Sequence, residues 1–164
     1  MPSAAIRLEV KGDEGSISVK KVVSPPNPDS FFPNITAVGE ITVKARGNDG
    51  RVQIEQGNSL KSKDASINLE AGGSEGAVRT MKDVKLNAGT NIDLLAGGVD
   101  SEVKVDVDNK FTAVGDITLK SGDEGVTEVK KGTKLAAGGA TTIKTGKGGK
   151  CTVEDPATAG ANCS

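Results

Sequence analysis

The sequence predicts an all-β fold: a right-handed parallel β-helix, a three-sided β-solenoid of about six 25-residue coils. Three observations carry this expectation. Apolar triplets recur at nearly constant spacing, two further apolar-polar-apolar sets follow each of them at fixed offsets, and Gly- and Asp-rich turns separate the sets.

The first set is Ile6/Leu8, Ile41/Val43, Ile67/Leu69, Ile92/Leu94, Ile117/Leu119 and Thr141/Ile143, at intervals of 35, 26, 25, 25 and 24 residues. The long first interval contains VVSPPNPDSFFPN, residues 22–34, and removing about ten of these residues restores the 25-residue period. Within each triplet the first and third residues are apolar. That is the period-two pattern of a short strand with one buried face. Ile41, Ile67, Ile92 and Ile117 thus form the expected core ladder.

A second set lies ten or eleven residues further on: Ile17/Val19, Val52/Ile54, Val78/Thr80, Val103/Val105, Thr127/Val129 and Cys151/Val153. The third set is Ile35/Ala37, Leu60/Ser62, Leu86/Ala88, Phe111/Ala113, Leu135/Ala137 and Ala159/Ala161. Three strands per coil make a three-sided prism. Its first corner reads GDEG, GNDG, GGSEG, GGVDSE, GDEG and GKGG in successive coils, in residues that accept a left-handed backbone. An antiparallel sandwich also has short strands and Gly turns, but it does not require the offsets between sets to recur.

The chain reads as a single domain over residues 1–164, with a Pro-rich loop insertion at 22–34 and a Cys-closed tail at 151–164. It has 22 Gly, three Phe and no Trp, Tyr or His, so a core must come from Ile, Leu, Val and Ala. Its 21 Lys and Arg nearly cancel 22 Asp and Glu, for a net charge of −1, which removes the basic excess that nucleic-acid binding needs. No run reaches the 18 or so apolar residues of a membrane span, so no membrane insertion is expected.

The phrases GEITVKARG, ASINLEAGG, NIDLLAGG, GDITLKSGD and ATTIKTGKGG, across roughly residues 35–150, resemble the repeats of filamentous-haemagglutinin-type secreted exoproteins and of autotransporter passengers. The resemblance implies a secreted β-helix whose repeats are non-enzymatic and serve as adhesin or surface fibre. The opening MPSAAIRLEV lacks a signal peptide's apolar stretch, so an extracellular or cell-surface location implies a mature segment or an added Met1.

Four groups of residues are candidates for function. Asp13, Asp49, Glu75, Asp100 and Asp123 sit in the first corner, where a stacked acidic ladder is a candidate Ca²⁺ site; solvated turns are the alternative. Cys151 and Cys163 predict a disulfide closing the last coil, against two buried thiols. Phe31 and Phe32, with Pro25, Pro26, Pro28 and Pro33, lie outside the repeat and either cover the first coil or dock a partner. The strand edges at both ends are candidates for pairing with another chain.

With no His and no aromatic platform for sugar rings, neither enzyme activity nor a cofactor is expected. The expected function is a structural subunit of an extracellular fibre, assembling head-to-tail with copies of itself. The alternatives are an adhesin stalk segment or a surface module binding calcium or host or matrix glycans.

Overall fold

The computed structural model describes residues 5–12, 14–20, 34–154 and Cys163, and every regular element among them is a strand. Phe31, Phe32, Pro25, Pro26, Pro28, Pro33 and Asp13 lie outside the described residues, as does the expected last pair Ala159/Ala161.

The first coil supplies β1 (Ile6–Val10), β2 (Ser16–Val19) and β3 (Asn34–Ala37), and the second β4 (Ile41–Ala45), β5 (Arg51–Ile54) and β6 (Ser59–Ser62). The third coil contains β7 (Ile67–Ala71), β8 (Ala77–Thr80) and β9 (Lys85–Ala88). The fourth contains β10 (Ile92–Ala96), β11 (Glu102–Val105) and β12 (Lys110–Ala113). The fifth has β13 (Ile117–Lys120), β14 (Val126–Val129) and β15 (Lys134–Ala137), and two sides of a sixth follow as β16 (Thr141–Lys144) and β17 (Lys150–Val153).

Each strand pairs in parallel with its counterpart one coil away, giving three sheets in the orders β1-β4-β7-β10-β13-β16, β2-β5-β8-β11-β14-β17 and β3-β6-β9-β12-β15. The described chain is therefore a three-sided solenoid of five complete turns and two sides of another.

Stacking is in register with the repeat. Ile6, Ile41, Ile67, Ile92, Ile117 and Thr141 form one column and Leu8, Val43, Leu69, Leu94, Leu119 and Ile143 the next. Ile41, Ile67, Ile92 and Ile117 are fully buried, each worth roughly 1.5–3 kcal/mol of apolar burial. A single coil has nothing above or below it to hide these faces, so the neighbouring coils supply the core.

The core becomes more polar toward the C-terminal end. Thr127 occupies the column of Val52, Val78 and Val103, and its Oγ1 lies 2.9 Å from the Lys144 carbonyl and 3.0 Å from Ser121 Oγ, so the buried hydroxyls are partnered. At the second corner Asn58 Nδ2 donates to the carbonyls of Val19 and Glu55, at 3.0 and 2.8 Å. One further Asn repeats the device: Asn109 Oδ1 accepts the Val84 N–H at 2.7 Å, and its Nδ2 donates to the Asp106 carbonyl at 2.7 Å.

Cys151 and Cys163 are joined, with Cα atoms 5.7 Å apart. Cys151 lies on the second side above Thr127, while Cys163 makes a parallel bridge to Ile143 on the first. The bond thus spans the interior at the C-terminal end. There the inward positions Thr141 and Thr145 have too little apolar surface to hold the end by burial. A closed loop of this size contributes about 3 kcal/mol in the chain-entropy model.

Candidate functional site

The first corner joins the first side to the second and carries Glu14, Asp49, Glu75, Asp100, Asp123 and Glu124, all exposed. Glu14, Ser16, Asp49, Arg51 and Glu75 line an open groove of about 350 Å³ there. Among the described residues no group of three or more acidic, His or Cys side chains is placed to hold a metal ion. Asp123 has a structural task instead: its Oδ1 accepts the Lys147 N–H at 2.9 Å, tying the fifth coil to the sixth. Asp100 and Glu124 adopt left-handed backbones, φ 58° and 53°.

The residues just before β7, β10 and β13 form a second ladder that sequence reasoning did not single out. Ser66 Oγ accepts the Asn91 N–H at 3.4 Å, Asn91 Oδ1 accepts the Asp116 N–H at 2.9 Å, and Asp116 Oδ1 accepts the Ala140 N–H at 2.7 Å. Each side chain leans over the backbone of the coil that follows. The space it fills explains the glycines beside it: a Cβ added at Gly115 or Gly139 would lie 2.2 Å from Asn91 Oδ1 or Asp116 Oδ1. A small polar residue preceding Ile-x-Leu, followed one coil later by Gly at Gly115 and Gly139, is the sequence signal of this device.

The two ends differ. At the C-terminal end the disulfide crosses the interior and Cys163 occupies one position of the first-side edge. At the other end the inward column finishes at Leu8, which is 39 % exposed, whereas Val43 one coil below is fully buried. Ile6, Val10, Ile17 and Ile35 are only partly buried around it. Among the described residues the N-terminal end therefore presents an apolar face rimmed by the edge strands β1, β2 and β3.

On the outer face of the first side, Asp93 is half-buried between Asn68 and Thr118. Burial raises its pKa above the usual Asp value, the hydrogen bond from Thr118 opposes this, and the nearby Asp116 and Glu70 carboxylates raise it further. A raised carboxyl pKa means that the folded state binds the proton more tightly than the unfolded one. Stability is then greatest below the ordinary Asp range, about 3.9, and is lost as pH rises through the folded value. Asp93→Asn removes that penalty and keeps the hydrogen bond. A gain on the order of 0.5 kcal/mol is expected at pH 7, vanishing below the Asp range, in thermal melts. An equal gain at acid pH would show that the carboxylate is not the cause.

No family model, no curated protein and no solved structure matches the chain. Among the described residues no helix is long and apolar enough to cross a membrane.

Proposed function

We propose that the chain is a non-catalytic structural rod, a subunit of an extracellular fibre that lengthens through its first coil. The observation that carries this reading is the contrast between the ends, Leu8 exposed at one and the Cys151–Cys163 bond closing the other. An apolar face rimmed by unpaired strand edges is a template for another chain. In a head-to-tail joint, Cys163 already fills part of the first-side edge, so pairing falls to β17 of one subunit and β2 of the next, which continues the second-side sheet in register. Such a contact does not close on itself, and repetition gives a filament.

The disulfide supports an oxidising, extracellular location, and the repeats' resemblance to secreted exoproteins supports a fibre role. Electron microscopy and light scattering across a concentration series test the proposal. Wild-type protein forms rods longer than one subunit, and Leu8→Glu, which puts a charge on the joint but removes little burial from the isolated coil, shortens them. A wild-type protein that stays monomeric at high concentration overturns the reading.

A further inference from the structure

The three sides are not alike in charge. On the first and second sides lysines and arginines alternate with acids: Lys44 pairs with Glu70, Arg79 with Glu102 and Lys104 with Glu128. The third side is different. Its outward residues from the second coil on are Ser59, Lys61, Lys85, Asn87, Lys110, Thr112, Lys134 and Ala136, four lysines with no carboxylate. Lys85, Lys110 and Lys134 are exposed and stand in register, one coil apart, at about 4.8 Å.

Among the described residues the ion pairs lie on the first and second sides and at the first and second corners, and none involves these lysines. Like charges directly opposite one another in a sheet are destabilising, so the column gains from a matching row of anions.

The same chain contains such a row. The first corner presents Glu75 in the third coil, Asp100 in the fourth, and Asp123 and Glu124 in the fifth, all exposed, with no Lys or Arg in those three turns. In a three-sided cross-section the corner between the first and second sides lies opposite the third side. Both rows repeat once per coil, so parallel rods match them coil for coil.

We infer that the third side is a lateral docking face for a second copy of this chain, which seats its acidic first corner on the lysine column. The contact is heterologous, each rod offering its corner on one flank and its lysines on the other, so successive copies add into a row of rods. A net charge of −1 fits this division, since charge is separated and not in excess. The outward residues of the third side named above include no Arg to fork a phosphate and no aromatic to stack a base, since Phe111 on that side is fully buried, which sets a second copy ahead of a nucleic acid. The lateral contact does not depend on the end-to-end joint.

The test is self-association by sedimentation in low salt and in about 1 M salt, where screening contracts to ~3 Å. It is run on the wild type and on Leu8→Glu, so that loss of the end joint does not hide the lateral one. Low-salt association that disappears in high salt is expected, with rods side by side in micrographs. K85E/K110E and E75K/E124K each weaken it about tenfold or more, while K63E/K120E, with the same change in net charge as K85E/K110E, leaves it within about twofold. An equimolar mixture of K85E/K110E with E75K/E124K associates again. Association insensitive to salt, or equal losses in K85E/K110E and K63E/K120E, overturns the proposal. So does a K85E/K110E protein that self-associates normally but no longer binds an anionic polymer resin, which would assign the lysines to a polyanion.

Discussion

Gly98→Ala is expected to cost more than about 4 kcal/mol, in the extreme tail of single substitutions, while Ala at the adjacent Gly97 is neutral or stabilising by about 0.4–1 kcal/mol. The first corner brings successive coils so close that a Cβ added at Gly98 would lie 1.9 Å from the Gly73 carbonyl oxygen and 2.6 Å from its carbon. Gly98 also has φ +91°, a left-handed backbone that costs an L-residue roughly 1–2 kcal/mol before any clash. The clash falls on backbone, and that backbone is held by the coil-to-coil hydrogen bonds on either side, such as Gly97 N–H to the Ala71 carbonyl at 2.8 Å. Relief therefore requires two coils to separate. At Gly97 the nearest atom to an added Cβ is the Ala71 carbonyl oxygen at 3.8 Å, an ordinary contact. Urea unfolding of the two variants measures the difference, and similar midpoints would mean that the corner is looser than its geometry implies.

The repeat was legible because burial acts on every coil in the same way. Ile67, Ile92 and Ile117 are set by the same column, and a period-two triplet fixes which of its residues point inward, so the paired strands fall where the spacing placed them. The Cys151–Cys163 bond was legible for a related reason: several inward positions of the last coil, Thr141 among them, are too small to hold it. The ladder through Ser66, Asn91 and Asp116 was not. Each side chain serves a backbone N–H about one coil later in the chain, and nothing in a local window marks an Asn as a cap and not a solvated turn until coils are stacked. The acids of the first corner posed the converse problem. Side by side in an alignment of coils they suggest a cation site, whereas the stacked structure turns one of them, Asp123, toward the Lys147 N–H. Lys85, Lys110 and Lys134 escaped notice because an outward Lys is unremarkable in any one strand; only the register shows that no acid shares their side.

Phe111→Ala is expected to lower stability by about 3–5 kcal/mol, and Phe111→Leu by less than about 1.5 kcal/mol. Phe111 is fully buried and is the largest side chain in the core, in a third-side column that otherwise contains Ile35, Leu60, Leu86 and Leu135. Truncation leaves a void that the walls cannot close, since β12 is fixed by its ladders to β9 and β15 and the other two sheets by their own. Leucine restores the residue type of both neighbours in the column, so the remaining loss is volume alone. The position adds a second consequence. Coils of a solenoid are coupled only through their neighbours, so a weakened interface in the fourth coil divides the rod. The fifth and sixth coils rest on Ser121, Thr127 and Thr141 where earlier coils have aliphatics, and they depend on the fourth coil for burial. In Phe111→Ala these C-terminal coils should open first, giving a lower denaturant slope and amide exchange that is fastest beyond residue 113, while β4 to β8 stay protected. A single cooperative transition with an unchanged slope would show that the coupling between coils survives the loss of this ring.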